Sequence, residues 1–266
     1  MDINNPASRL FSLLSELKHY HPSNIATREV LARVFGTEDS PAAVMHAVVE
    51  LHNLLREVVH QARSRTSLPS VSLIKYVPQI ESAIAFTNLD AGWQTYNSRI
   101  TPEVLVVLDI AAHIEGVPQD QVPSSEEVKI LHANLQELFD FVENTSLDPQ
   151  FKRFILEQIE HIRRCLAEYR ITGAQGFMRY LETLIGQTTR NRDVIKRQSK
   201  RTPTVMSKFA KVLEGVKVLV GLTEDGTKLL GNLEKMKSTG DGLWAELSGG
   251  EGGATVPEIG SSGDSV

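Results

Sequence analysis

Hydrophobic residues recur at intervals of three and four along most of the chain, which is the spacing of one face of an α-helix. The clearest stretch runs from Asp148 to Gly186 and predicts a helical hairpin. Asp148 is a suitable N-cap, and Pro149 suits the first helical position. The apolar face of the first helix consists of Phe151, Phe154, Ile155, Ile159, Ile162, Leu166 and Tyr169. A second helix is predicted to begin at Thr172, with Gln175 completing a capping box, and to stop at Gly186.

Helices are also predicted on both sides of this hairpin, because apolar stripes follow recognisable start signals. These signals are Asn5–Pro6, Ser40–Pro41, Thr101–Pro102, Ser124 with Glu127, and Pro203. Pro78 is expected to begin a further short helix. Residues 104–114 are apolar nearly all round and predict a buried central helix, with a buried strand as the local alternative.

The predicted fold class is all-α: a multi-helix bundle built from helical hairpins, with about nine helices and a disordered acidic C-terminal tail. Four segments are predicted, namely an N-terminal helical region (1–121), a three-helix unit (122–187), a basic linker with amphipathic helices (188–236) and a Gly/Ser-rich tail (237–266). Residues 238–266 contain no Lys or Arg and carry a charge of −5. A segment of this composition buries too little apolar surface to offset the cost of ordering it.

Composition narrows the class of protein. The 266 residues are 41% hydrophobic and 23% charged, which is ordinary for a globular chain, and the net charge of −5 disfavours a dedicated nucleic-acid binder. Cys165 is the only cysteine and lies beside the apolar face of a helix, so we interpret it as a small core residue. The first residues lack the pattern of a signal peptide, and no run of 18 uncharged apolar residues occurs. We therefore expect a cytoplasmic location.

The most suggestive feature is a basic run followed by an amphipathic segment. The candidate interaction residues are Arg190, Arg192, Lys196, Arg197, Lys200 and Arg201 in the run, and Phe209, Val212, Val216 and Leu219 after it. A basic patch beside an apolar face can bind a protein groove, an anionic membrane or a phosphate backbone. Phe209 is the only aromatic residue between Arg190 and Met236, which disfavours stacking on nucleic-acid bases. Two simpler interpretations are a solvated linker and an acidic tail that folds back on the run.

Other chemistry is weakly indicated. The stretch from Gly221 to Lys228 approximates a P-loop, but the order of its Thr and Lys is reversed, so a helix–turn–helix is preferred. Glu57 and His60 have the spacing of a di-iron ligand pair, yet no second Glu-x-x-His occurs and their helix face is expected to be solvated. Asp109 and His113, four residues apart, form a low-probability polar site or mark an exposed edge. We predict no catalytic residue, cofactor, metal or small-molecule ligand.

The run AEYRITGAQGFMRYLETLIG resembles a group of uncharacterised bacterial all-helical proteins that carry a similar Tyr-Arg-Ile-x-Gly-Ala-x-Gly turn. The likeness covers residues from about Ile159 to Gly186. It implies a bacterial origin and a helical fold, and it suggests a role in antiphage defence or a toxin–immunity module.

The leading functional prediction is a non-enzymatic bacterial interaction protein, an adaptor or regulatory subunit, whose partner is another protein or a second copy of the chain. The alternative is a membrane-acting effector that uses residues 190–236 as a basic amphipathic segment.

Overall fold

A computed structural model of the protein describes residues 5–20, 25–64, 68–113, 123–221, 223 and 226–228. Within these residues the chain is all-α, as predicted, and its only β pairing is an isolated antiparallel bridge between Ala26 and Gly92. Twelve helices of four or more residues are present there, where the sequence predicted about nine. They are α1 Pro6–His19, α2 Thr27–Phe35, α3 Pro41–Arg63, α4 Leu68–Ile84, α5 Gln94–Asn97, α6 Pro102–Ala112, α7 Ser125–Asn144, α8 Pro149–Ala167, α9 Tyr169–Thr172, α10 Ala174–Arg190, α11 Arg192–Arg201 and α12 Pro203–Gly221.

Six of the twelve helices, α1, α3, α6, α7, α8 and α12, begin where the sequence predicts. The Asn5 and Ser124 side chains each form a capping box with the residue three positions on, and Ser40, Thr101 and Asp148 accept hydrogen bonds from first-turn N–H groups. Each cap satisfies N–H groups that have no partner within the helix, and is worth about 1 kcal/mol.

Several predicted boundaries are wrong. Pro78 lies inside α4, because residues on both sides of it, including Leu73 and Ile80, face the same core. Burying such side chains contributes about 1.5–3 kcal/mol each, which offsets the cost of about 3 kcal/mol for an internal proline. Gly186 does not stop α10, which continues to Arg190 and buries Thr188 beyond it.

The hairpin and the basic run also differ from expectation. The first hairpin helix ends at Ala167, and residues 169–172 form the separate short helix α9. Gly173, not Thr172, precedes α10, and it provides no side-chain cap. Residues 192–201, predicted as part of a basic linker, form helix α11 because Val194 and Ile195 are buried against neighbouring helices.

The helices form two groups, each with its own core. In the N-terminal group, each of α1, α3, α4 and α6 packs against two of the others, and α2 packs on α1 and α3. In the C-terminal group, α7, α8, α10 and α12 are arranged in the same way, and α11 packs on α8, α10 and α12. Helix α9 contacts members of both groups, and its Ile171 is buried in the N-terminal core. The predicted segment boundaries and the assembly of hairpins into one bundle stay predictions.

Helix α6 is not buried all round, contrary to the prediction. Val104, Leu108 and Ala111 face the N-terminal core, whereas Val106 and Ile110 are 56% and 44% exposed. The helix packs against α1 and α4 on one side only. The predicted disordered tail, residues 237–266, lies outside the described residues.

Candidate interaction surfaces

The six basic residues predicted as interaction candidates are all exposed. They lie at the end of α10 and along α11, and we call them the basic surface: Arg190, Arg192, Lys196, Arg197, Lys200 and Arg201. Asp193 is the one acidic residue between them, so the segment carries a net charge of +5 while the whole chain carries −5. Positive potential is therefore concentrated on α11 and the adjoining end of α10, in a net acidic protein.

Helix α11 holds this surface in place through its apolar side. Ile195 is fully buried, and Val194 and Gln198 are at most 8% exposed, all against the C-terminal group. At the start of the helix, Gln150 of α8 donates a hydrogen bond to the Asn191 side chain over 3.4 Å. The cationic side chains thus project from a helix whose orientation is fixed by packing.

The apolar interaction candidates lie elsewhere. Phe209, Val212 and Val216 are fully buried in the C-terminal core, and Leu219 is 1% exposed. The Phe209 ring packs edge-on against Phe154 of α8, with 6.5 Å between the ring centroids. The basic surface and this apolar stripe therefore do not form one continuous exposed amphipathic face.

Asp109 and His113 lie together on the outer edge of α6. The His113 Nδ1 atom is 3.7 Å from the Asp109 carboxylate and 2.8 Å from the Asp109 backbone oxygen, and both side chains are more than half exposed. An exposed pair of this kind interacts weakly because water screens the interaction. The geometry corresponds to an exposed edge, the second of the two predicted interpretations.

A polar junction between the two groups was not anticipated from the sequence. The Arg179 guanidinium of α10 donates to the Glu50 carboxylate of α3 over 2.6 Å, and Glu50 is 8% exposed. Asn53 donates a second hydrogen bond to Glu50 over 3.2 Å. Nearby, His46 of α3 lies 3.1 Å from Glu168. The predicted solvated face of α3 is therefore wrong for Glu50, which is buried against the C-terminal group.

The junction continues toward α1. Arg170 of α9 donates to the Glu16 carboxylate over 2.5 Å and to the backbone oxygen of Val34 over 2.6 Å. Next to the Glu50–Arg179 pair is a cleft of about 230 Å³, lined by polar side chains that include Glu57 and Gln175. These contacts connect helices that are more than 100 residues apart in the chain, so no local sequence pattern indicates them.

Burial governs the ionisation of two groups at the junction. It raises the pKa of the Glu168 carboxyl, against the partial opposing effect of His46. It also raises the pKa of the Cys165 thiol to about 12. The Cys165 side chain packs against the C-terminal core and donates weakly to the backbone oxygen of Gly176 at 3.5 Å. The thiol is therefore protonated at neutral pH, which argues against a nucleophilic role.

A groove with four apolar and five polar or charged lining residues lies between α3 and α4 in the N-terminal group. It has a volume of about 660 Å³, and its lining residues are His52, Leu55, Arg56, Val59, His60, Arg63, Val77, Glu81 and Ala85. Leu55 is buried at its base, while Arg56, His60 and Arg63 are exposed along its rim. The sequence indicates the apolar stripe of α3 but not the helix that forms the second wall.

The segment that resembles a P-loop does not follow a strand. Residues 216–220 belong to helix α12, which extends to Gly221, and the remaining part of the segment is described only at 223 and 226–228. A P-loop requires a strand before its phosphate-binding turn, so this observation agrees with the helical interpretation.

No group of three or more His, Cys, Asp or Glu side chains in the described part of the chain is placed to hold a metal ion. No helix there is long and apolar enough to cross a membrane. Comparison of the chain with protein-family models, curated proteins and solved structures found no match.

Proposed function

We propose that this protein is a non-enzymatic interaction protein, an adaptor or regulatory subunit, that binds an acidic partner protein through the basic surface. In this proposal the helical hairpins assemble into a scaffold bundle whose task is to present that surface. The single observation that supports it most is that all six basic residues are exposed, five of them on helix α11, whose apolar side is buried.

The physical argument rests on charge and on fixed geometry. Clustered cations attract an acidic surface over about 8 Å at physiological ionic strength and speed its association. Because α11 is packed against three helices, its side chains are presented without the cost of folding the segment on binding. A bacterial, cytoplasmic setting, and a place in a defence or toxin–immunity module, are parts of the proposal that come from the resemblance of the hairpin.

The membrane-acting alternative uses the same cations but requires an apolar face to enter the bilayer. The candidate apolar face of α12 is already buried in the C-terminal core. The predicted membrane segment is 190–236, and its described part up to Gly221 could contribute this apolar face only if the core opened. This observation favours a protein partner.

The experiment is an affinity purification from the native host with the wild-type chain, followed by a binding titration with the partner that it identifies. The test variant is Lys196→Glu/Arg197→Glu, and the matched control is Lys75→Glu/Lys129→Glu, which reverses two exposed charges on other helices. We expect the test variant to bind at least about tenfold more weakly, with an affinity that falls as salt rises, and the control to bind like wild type. Equal binding by all three proteins, or a monomer with no specific partner, would contradict the proposal. If the wild-type chain and the control float with anionic vesicles and the test variant does not, the membrane alternative is supported instead.

A further inference from the structure

The α3–α4 groove has the features of a binding site for a short amphipathic segment. Its floor contains Leu55, Val59 and Val77, and its volume of about 660 Å³ lies in the range of pockets that hold several side chains. The groove belongs to the N-terminal group, so it is separate from the basic surface of the proposed function.

An exposed stripe extends the groove along α3. Val49 precedes His52 by three residues, and Met45 precedes Val49 by four, which places all three on one helix face. Val49 and Met45 are 48% and 44% exposed. Exposed apolar side chains in line with a partly apolar groove are characteristic of sites where a helix or extended segment binds.

The rim of the groove is mainly cationic. Arg56 and Arg63 are exposed and permanently charged, whereas Glu81 is the one acidic lining residue. Burial, followed by the neighbouring Arg56, lowers the pKa of His52, so its ring adds little charge at neutral pH. The groove thus favours an apolar segment with acidic residues beside its hydrophobic positions.

One part of this chain outside the described residues has that composition. Leu243, Trp244 and Leu247 are apolar, and Asp241 and Glu246 stand beside them. The other strongly apolar stretch in the C-terminal region, residues 229–236, is adjoined by cationic residues and is a poorer electrostatic match. These cationic residues are Lys228, Lys235 and Lys237.

The segment can reach the groove. Leu243 lies fifteen positions after Lys228, the last described residue. At no more than about 3.5 Å per residue these positions span up to about 50 Å. The described chain ends close to α3, because the Thr223 hydroxyl lies 3.9 Å from the Met178 sulfur of α10 and the next residue, Arg179, donates to Glu50 of α3. Tethering also raises the effective concentration to about 1 mM, at which even an intrinsic dissociation constant of about 0.1 mM leaves roughly nine-tenths of the segment docked.

We propose that residues 241–251 of this chain dock intramolecularly in the α3–α4 groove, with Trp244 and the two leucines on its apolar floor and the acidic residues beside Arg56 and Arg63. This inference is independent of the proposed function.

Trp244 supplies the test, since the chain has only one other tryptophan, Trp93, which is 1% exposed. The difference between the fluorescence of the wild-type protein and that of Trp244→Phe isolates the emission of Trp244 without altering Trp93. We expect this emission to be blue-shifted and to be quenched by acrylamide several-fold less than the emission of a free peptide of residues 238–252. Arg56→Glu/Arg63→Glu should restore the peptide-like values.

The matched control is Lys196→Glu/Arg197→Glu, which makes the same change in charge on the basic surface and should leave Trp244 protected. Circular dichroism and thermal melts establish that each variant is folded, and Val59→Glu is a second groove variant if the double substitution unfolds. Peptide-like quenching of Trp244 in the wild-type protein would overturn the inference. Two other results would also overturn it. If only the control variant exposes Trp244, the tail binds the basic surface. If the protection of Trp244 is lost on dilution, the docking occurs between copies of the chain. None of these outcomes depends on whether the basic surface binds an acidic partner.

Discussion

Gly173 forms the corner between α9 and α10, where its backbone has a φ of +55° and a ψ of −148°. Residues other than glycine rarely adopt this backbone conformation. The position is also crowded, since a Cβ atom there would lie 2.8 Å from the guanidinium carbon of Arg9, a buried side chain of α1. The corner thus brings α10 past the N-terminal group only because residue 173 has no side chain.

We expect Gly173→Ala to lower the free energy of unfolding by about 1–3 kcal/mol, because it adds backbone strain and displaces Arg9. Urea denaturation monitored by circular dichroism measures this change.

Gly186→Ala is the matched control. Gly186 lies in the middle of α10, is exposed, and has open space where a Cβ atom would be added. The same substitution should raise the free energy of unfolding by about 0.5–1 kcal/mol, since alanine loses less conformational entropy in a helix. Equal effects at the two glycines would show that the corner is not strained for other residues.

Helices α11 and α12 show how an amphipathic pattern is resolved at the scale of an element. Both have one apolar and one polar face, and in both the apolar face is buried in the C-terminal core. The sequence identified the apolar face of α12 but predicted residues 190–201 as a basic linker. It also did not indicate whether an external partner or the chain itself covers the face of α12. The ten candidate interaction residues consequently divide into six at the surface and four in the core.

This division predicts opposite outcomes for two alanine substitutions. Phe209→Ala should lower the free energy of unfolding by about 3–5 kcal/mol, because it leaves a cavity beside Phe154. Arg197→Ala should leave the unfolding midpoint unchanged and affect only partner binding. Thermal melts and binding titrations of both variants make the comparison. A folded Phe209→Ala protein with wild-type stability would contradict the buried position of this ring.

At the scale of the molecule, the two helical groups are connected through the polar junction around Glu50, Arg179 and Arg170. The Glu50 side chain is 10% exposed, whereas that of Arg179 is 49% exposed. Water can therefore compensate Arg179 more readily than Glu50 when the pair is broken. The two side chains that differ in exposure belong to α3 and α10, which are helices of different groups.

A double-mutant cycle with Glu50→Gln and Arg179→Gln tests the connection. We expect a coupling energy of about 1–2 kcal/mol. Arg179→Gln should lower the stability more than Glu50→Gln does, because it leaves a buried carboxylate without its cation. The control cycle uses Arg153 and Glu157 of α8, whose atoms are 2.8 Å apart but which are 82% and 47% exposed. That pair should couple by about 0.3–0.5 kcal/mol. Equal coupling energies in both cycles would mean that burial at the junction does not strengthen the interaction between Glu50 and Arg179.

Much of the fold could be predicted from local patterns. Caps at Asn5, Ser40, Thr101, Ser124 and Asp148 mark helix starts because a short polar side chain satisfies backbone N–H groups within the same few residues. Helix ends and proline positions were harder to predict, because packing against distant residues overrides local preference at Pro78 and Gly186.

By itself the sequence determined the all-α class, the starts of six helices, the apolar faces of α3, α8 and α12, and the concentration of positive charge at 190–201. These properties depend on contacts within one or two helical turns, or on composition alone. Only the tertiary structure decided that α12 is core, that Glu50 is buried against Arg179, and that α3 and α4 form a groove. Each of these depends on which distant helices meet, and no interval along the chain encodes that pairing.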